Sequence, residues 1–149
     1  MIGRREFGVV GMSAAALGAM QAVGVAQEKA GHDHGEHGSM FDDCAKACND
    51  CQRACDGCVR HCAIEMSKGN KEHLKTLSSC SDCAAVCATA AQIVARHGYF
   101  AKGICESCAD ICGKCAKECE QFSDDKHMQE CAKECRKCEK ACREMVKHA

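Results

Sequence analysis

Proline and tryptophan are absent from the chain, and only one tyrosine and four phenylalanines occur among its 149 residues. Proline breaks helices, so its absence allows long uninterrupted ones. Large apolar side chains are also scarce: residues 40–149 contain two leucines, four isoleucines, four valines and three phenylalanines. That share is well below the composition of an ordinary globular core. Something other than aliphatic side chains must therefore fill the interior.

An excess of charge of one sign is also missing. The 20 Lys and Arg residues nearly balance the 21 Asp and Glu residues, which gives a net charge of −1, and no long basic run occurs. Because phosphate binding needs clustered Lys and Arg, and base stacking needs aromatic rings, nucleic acid is excluded as the main partner. The length is that of one small domain.

The first 26 residues read MIGRREFGVVGMSAAALGAMQAVGVA, in which Arg4 and Arg5 precede a weakly apolar run rich in glycine and alanine. This pattern predicts an export signal of the twin-arginine type, cleaved after Ala26. A membrane anchor or a chance pair of arginines is the alternative, but the run is short and glycine-rich for a spanning helix. We therefore expect a periplasmic protein without membrane contact after cleavage.

Residues 27–39 are polar and rich in glycine, and they carry His32, His34 and His37. This composition predicts a flexible leader between the signal and the folded domain. Histidine-rich tracts can bind metal ions, and a solvated linker that binds nothing is the other interpretation.

From Met40 onward the sequence divides into four segments rich in Ala, Lys, Glu and Arg, over residues 40–67, 71–97, 100–121 and 124–149. Asn70 and Ser123 are predicted N-caps, and Gly69 and Gly98 are predicted helix ends. Helices joined by such short connections run up and down beside their neighbours. The sequence therefore predicts an all-α fold, an antiparallel up-down four-helix bundle over residues 40–149.

Cysteine is what the sequence has in abundance, with 18 residues in ladders spaced three and four apart. At 100° per residue, the six cysteines of the first segment fall within a stripe about 80° wide. Polar residues occupy the other faces, so the sulfur should face inward and line the core. The predicted metal ligands are Cys44, Cys48, Cys51, Cys55, Cys58, Cys62, Cys80, Cys83, Cys87, Cys105, Cys108, Cys112, Cys115, Cys119, Cys131, Cys135, Cys138 and Cys142.

Three uses of these thiols fit the spacing poorly. An even cysteine count in an exported chain is typical of a disulfide scaffold, but neighbouring cysteines on one helix cannot bridge without distortion. A thiol core without any ligand would be open to oxidation. Iron–sulfur clusters need four cysteines around a compact cube, which a linear stripe does not offer.

Zinc and Cu(I) are the metals that thiolates favour. Each ZnS₄ unit carries a formal charge of −2, so about four of them would place about eight negative charges in a narrow bundle. Cu(I) accepts two or three thiolates and tolerates bridging sulfur, so a ratio near one leaves the core almost neutral. Cysteines at i,i+3 and i,i+4 stand about 5–6 Å apart at Cβ, close enough to hold one ion between two sulfurs. Several Cu(I) ions are therefore the predicted cargo.

The twin-arginine signal and the ladders CxxxCxxCxxxCxxCxxxC, CxxCxxxC, CxxCxxxCxxCxxxC and CxxxCxxCxxxC resemble the bacterial copper storage proteins. The resemblance covers the chain from Met40 to its end. It implies a four-helix bundle filled with many Cu(I) ions, assembly as a homotetramer, and copper held for copper enzymes or for detoxification. The chain departs from this pattern on the second helix, where Ala90, Ala91 and Val94 continue a stripe of three cysteines. One end of the lumen should therefore hold less metal.

Thioether and imidazole groups at the two bundle ends are predicted auxiliary ligands. Three methionines lie three or four residues outside the first or last cysteine of a stripe, and so extend it. Such weaker Cu(I) ligands suit the passage of ions, and plain packing that closes the bundle ends is the alternative. His61 is predicted to be a surface residue. The auxiliary candidates are Met40, Met66, His97, His127, Met128 and Met145.

High-capacity storage of Cu(I) is therefore the predicted function, with a copper chaperone or a client copper enzyme as candidate partners. The pattern singles out no cysteine as a nucleophile, and a closed lumen gives a substrate no access, so we expect no enzyme. The alternatives are a copper metallochaperone or zinc-binding protein of low stoichiometry, and a disulfide-stapled helical protein.

Overall fold

The structure is a computed structural model that describes residues 36–148, and the predicted signal (1–26) and most of the predicted leader (27–39) lie outside them. The described residues form four helices and no strand, which confirms the predicted all-α fold. Their bounds are Glu36–Ser67 (α1), His73–Ala95 (α2), Ala101–Glu120 (α3) and Lys126–His148 (α4).

Helix α1 begins at Glu36, four residues before the start of the predicted bundle. No proline interrupts this stretch, so the helix can continue into it. The last four residues of the predicted leader, 36–39, are therefore helical.

The helices form a square in which each one packs against two neighbours. Helix α1 contacts α2 and α4, and helix α3 contacts the same two. Every connection is five residues long, over residues 68–72, 96–100 and 121–125. Connections this short make consecutive helices antiparallel, so the predicted up-down bundle with an axial core is confirmed.

The helix ends agree with the sequence prediction at one position and differ at three. Gly69 has φ +102° and ends α1, and the N–H of Asn70 donates to the Glu65 carbonyl, as in a Schellman-type C-cap. At the end of α2 it is His97, with φ 51°, that takes the left-handed conformation predicted for Gly98. Histidine is among the residues that tolerate this region, and the Gly98 N–H completes the cap by donating to the Ile93 carbonyl.

Helix α4 is capped by Asp125, not by the predicted Ser123. Its Oδ1 accepts the backbone N–H groups of His127 at 2.9 Å and Met128 at 3.2 Å. A carboxylate at this position satisfies otherwise unpaired N–H groups and complements the helix dipole. The predicted cap Asn70 likewise makes no side-chain cap, because its amide donates to Glu65.

The core is made of thiols and small side chains. All 18 cysteines are buried, and the other buried apolar residues are alanines, Val94, Met128 and Met145. Leucine and isoleucine only pack against the edge of this core. Helix α2 is long and apolar enough to cross a membrane by length and composition, but its cysteine and alanine face packs against α1 and α3 as part of the bundle.

Two glycines of α1, one inside the helix and one at its end, test how the backbone conformation contributes to stability. Gly57 lies in the middle of α1, and an added Cβ would meet only the His127 ring at 3.7 Å, an ordinary contact. Gly57→Ala should therefore stabilise the apo protein by about 0.5–1 kcal/mol, since alanine favours helix. Gly69→Ala should destabilise it by about 1 kcal/mol because of its positive φ. Chemical denaturation of the reduced protein measures both, and equal shifts for the two variants would contradict the assignment.

Candidate metal-binding site

The 18 thiols form one continuous column along the bundle axis, here called the lumen. Sixteen of the cysteines have no exposed surface, and Cys44 and Cys131 are only 1% and 2% exposed. None of them is bonded to another in a disulfide. The lumen therefore holds all predicted ligands in a form that can bind metal.

Sulfur atoms from different helices lie close together throughout the lumen. The Sγ atoms of Cys87 on α2 and Cys112 on α3 are 3.5 Å apart. Sulfurs also meet across the diagonal of the square, since Sγ of Cys51 on α1 lies 3.8 Å from that of Cys112. The lumen is thus narrow enough for one ion to contact thiolates from two, three or four helices.

The thiols group into sets of four whose sulfurs all lie within 4.8 Å of one another. Of the five sets named below, one takes a cysteine from each helix, and the one that contains Cys142 has no member from α2. The reason is that α2 carries only three cysteines on its inner face, and beyond Cys87 that face carries alanine and Val94. The sets are Cys48, Cys108, Cys138 and Cys142; Cys51, Cys83, Cys87 and Cys112; Cys51, Cys55, Cys83 and Cys135; Cys58, Cys80, Cys119 and Cys131; and Cys87, Cys108, Cys112 and Cys138, among others.

Neighbouring sets share members, and this sharing distinguishes between metals. Cys51 and Cys83 belong to at least two sets each, as do Cys87, Cys108, Cys112 and Cys138. Isolated ZnS₄ centres need separate sets of four thiolates, whereas Cu(I) accepts thiolates that bridge two ions. Among the described residues the buried polar or charged side chains are His73 and Thr76, so no Lys or Arg neutralises excess thiolate charge. The site therefore favours Cu(I).

Burial opposes ionisation of the lumen thiols, because it disfavours the charged thiolate. Burial, the adjacent Cys58 and the nearby Cys131 and Asp125 raise the pKa of Cys62 to about 12. Hydrogen bonds with Cys112 and Cys135, together with burial, raise the pKa of Cys51. A metal ion must therefore displace protons as it binds, and a monovalent ion that replaces one proton leaves the charge of the lumen unchanged.

Of the predicted auxiliary ligands, Met128 is the one that the structure places directly on the thiols. Its Sδ lies 3.4 Å from Cys58 Sγ and 3.9 Å from Cys62 Sγ. Met145 is fully buried at the opposite end, Met40 lines a groove beside Cys44, and Met66 is half-buried. The roles of these methionines as ligands stay predictions.

The two predicted histidines are both exposed. His97 stacks on Phe41 with ring centroids 4.3 Å apart, and His127 stacks on His61 at 4.6 Å. His61 is itself half-buried and lies 2.6 Å from an Asp125 carboxylate oxygen, so its prediction as a surface residue was incomplete. The imidazole of His61 lowers the pKa of Asp125, against the opposing effect of that carboxylate's partial burial.

His73 is a buried histidine that was not among the predicted auxiliary ligands. It is 5% exposed and lies at the same bundle end as Met128, which we call the histidine end and define by His61, His73, His127 and Met128. The sequence does indicate that His73 faces the core. His73 and Thr76 precede Cys80 by seven and four residues, so they lie on the same face of α2 as its cysteines.

Comparison with known proteins identifies the family to which this chain belongs. The family model for copper storage proteins matches residues 19–147 of the chain. The chain belongs to the copper storage protein family. The resemblance predicted from the cysteine ladders is therefore confirmed, and no curated protein is significantly similar to the chain.

Solved structures of the family share this fold. The apo copper storage protein 3 of Bacillus subtilis is 37% identical, with a TM-score of 0.60 over 70% of this chain and 97% of that one. The Cu(I)-bound copper storage protein BsCsp3 is 36% identical, with a TM-score of 0.66 over 72% of this chain and 98% of that one. The Streptomyces lividans protein Ccsp loaded with 10 copper equivalents is 28% identical, with a TM-score of 0.68 over 74% and 86%.

These matches favour cysteine-lined copper storage over the chaperone, zinc and disulfide alternatives, and they support several Cu(I) ions as the cargo. The family is one of storage and not of catalysis. The identity of each ligand in this chain stays a prediction. The sets of four specify which cysteines lie close enough together to share an ion.

Replacing one central thiol tests the sharing of ligands. Cys51→Ala should lower the number of bound Cu(I) ions by about one or two, because neighbouring thiolates in both of its sets remain and Cu(I) accepts two or three of them. Anaerobic titration against a chromophoric chelator measures the loss. Ser81→Ala, on the exposed face of α2, is the matched control and should bind as the native chain does. Loss of most of the copper in the Cys51 variant would contradict a lumen of interchangeable thiolates.

The raised thiol pKa predicts how the stability of the empty bundle depends on pH. Cys62 has an ordinary value of 9.0 when unfolded and about 12 when folded, so between these values the folded state binds more protons. The free energy of unfolding of the reduced apo protein should therefore be constant for this group below about pH 9 and fall above it. Thermal unfolding of apo and copper-loaded protein across this range measures the difference. A loaded protein that loses as much stability as the apo protein would contradict the prediction.

Proposed function

We propose that this protein is a high-capacity store that holds many Cu(I) ions at once on the thiolates of its lumen. The observation that carries the proposal is the sharing of buried, unbonded thiols between neighbouring sets of four. A chaperone needs one exposed site, whereas here every predicted ligand is at most 2% exposed. Membership of the copper storage family supports the same function.

We also propose that storage takes place after export. The twin-arginine pattern at Arg4 and Arg5 supports transport to the periplasm, with residues 1–26 as the signal, 27–39 as the leader and 40–149 as the storage domain. The resemblance of the ladders further supports a homotetramer that exchanges copper with a chaperone or a client copper enzyme. No catalytic role is proposed, because the lumen offers no open position for a substrate.

The decisive experiment is anaerobic titration of the reduced, signal-free protein with Cu(I) beside a chromophoric chelator. With 18 thiols and two or more thiolates around each bridged ion, we expect uptake of more than about ten ions per chain. Uptake of one to four ions would overturn storage and favour a chaperone or a zinc site. A separate experiment tests export: the full-length chain is expressed, and a chain shortened by the 26-residue signal should be recovered from the periplasmic fraction.

A further inference from the structure

The outer face of α2 carries much less charge than that of α4. Lys75 and Asp82 are the only Lys, Arg, Asp or Glu residues of α2, whereas α4, also 23 residues long, carries seven Lys and Arg and four Glu residues. Helix α2 packs against α1 and α3 through its inner face, so its outer face has no partner among the described residues. We define this outer face by its exposed residues Leu74, Ser78, Ser81, Asp82, Ala85, Thr89 and Gln92.

The hydroxyl groups on this face are already hydrogen-bonded within α2. Each donates to the backbone carbonyl four residues before it, at 3.3 Å for Ser78 and at 3.0 Å for Ser81 and Thr89. Removing a hydroxyl from water is costly when its hydrogen bond is lost, and here the bond is kept. The face can therefore be covered by another protein surface as an apolar face can.

Large apolar side chains lie exposed at both ends of this face. Directly beyond the end of α2, Tyr99 is 94% exposed and Phe100 is 71% exposed, and their rings meet edge to face with centroids 5.1 Å apart. Leu74, in the first turn of α2, is 55% exposed. Of the four large apolar side chains that are exposed among the described residues, three therefore lie along α2 or directly after it.

Two opposite charges lie symmetrically on the same side of the bundle. Asp82 and Arg96 are each seven residues from Thr89, and seven residues at 100° are 20° short of two turns, so the three share one face. Neither charge makes an ion pair with another described residue, whereas Lys75 pairs with Glu118 on α3 at 2.7 Å. A second α2 that lies antiparallel and crosses at Thr89 would bring each of these charges opposite its counterpart.

The other residues of the face also match in this arrangement. Residues equally far before and after Thr89 face each other across the two-fold axis. Ala85 of one copy then faces Ile93 of the other, and Ser78 faces Phe100. Large side chains thus lie opposite small ones, as the interdigitated packing of two helices requires.

The area of this face is sufficient for a stable dimer. Residues 78–95 span about 27 Å, and a helix is about 10–12 Å wide, which gives a footprint of about 270–320 Å². Covering Tyr99 and Phe100 adds about 150–250 Å² for each ring. The total of about 600–800 Å² per copy is close to the roughly 800 Å² per partner of a standard interface.

We propose that the outer face of α2 binds the same face of a second copy of this chain, antiparallel about a two-fold axis at Thr89, with Asp82 of each copy paired with Arg96 of the other. Such a self-complementary face is the basis of a C2 dimer. The face holds no lumen thiol, so the contact forms with or without copper. This inference rests on the proposed homotetramer and names the surface of one contact between its copies.

Exchange of the two charges tests both the face and its register. Arg96→Asp sets carboxylates against each other at two points, and Asp82→Arg does the same with guanidinium groups, so each should weaken association at least about 10-fold. The double variant restores opposite charges and should associate as the native chain does. Lys114→Asp, which reverses an exposed charge on α3, is the matched control and should change nothing. Sedimentation velocity of the reduced, signal-free chain over a dilution series measures association.

A third variant does not depend on the charges. Phe100 is the N-cap of α3, where serine is a preferred residue, so Phe100→Ser removes an exposed ring without weakening the helix. It should also weaken association, and circular dichroism should show the native helix content.

The outcomes separate this contact from the proposals on which it rests. A native chain that is monomeric throughout would overturn both the homotetramer and this contact, and its binding to phosphatidylglycerol vesicles would assign the face to a membrane instead. An oligomer that persists unweakened in the single variants, or a folded double variant that stays dissociated, would overturn this contact alone. Uptake of more than about ten Cu(I) ions by the same preparations would leave storage intact in every case.

Discussion

Contact between sulfur atoms along the bundle axis is the constraint on which the rest of the structure depends. A thiol is small, so the four helices approach closely enough for sulfurs to meet even across the diagonal. The cost is weak apolar burial, since a cysteine core stabilises less than leucine would. Outer contacts add to it, as when Arg136 on α4 donates two hydrogen bonds to Glu120 on α3. Rotating any helix would expose its whole stripe, so the thiols also fix the rotation of every helix.

Because α2 has cysteines along only part of its inner face, the two ends of the lumen carry different side chains. Where α2 carries cysteine, one set of four takes a member from each helix, and where it carries alanine and valine the sets draw on the other three. At one end of the lumen lie alanine, Val94 and Met145, while the opposite end has a cleft lined by carboxylates and an imidazole with an unpaired nitrogen.

Most of the fold could be predicted from the sequence, because one signal determines it. Alternating spacings of three and four give helix, face and core at once, and the structure confirms all three. The ends of the helices could not be predicted as well. His97 takes a left-handed conformation next to a glycine that suits it better, and Asp125 caps α4 because it also pairs with His61 across the bundle. The burial of His73 could not be predicted, because it depends on the rings of His61 and Phe122, which lie far from it in sequence.

Charge explains why one bundle can exist both empty and full. In the empty lumen, burial opposes ionisation of the thiols, as at Cys62, and neutral thiols pack as small apolar groups. Each Cu⁺ that replaces a proton leaves the net charge of the lumen unchanged, so filling requires no buried counter-ion, and none occurs among the described residues. A divalent ion on four thiolates would leave two uncompensated charges at every site. The preference for a monovalent metal therefore follows from the lack of buried cations as much as from the affinity of copper for sulfur.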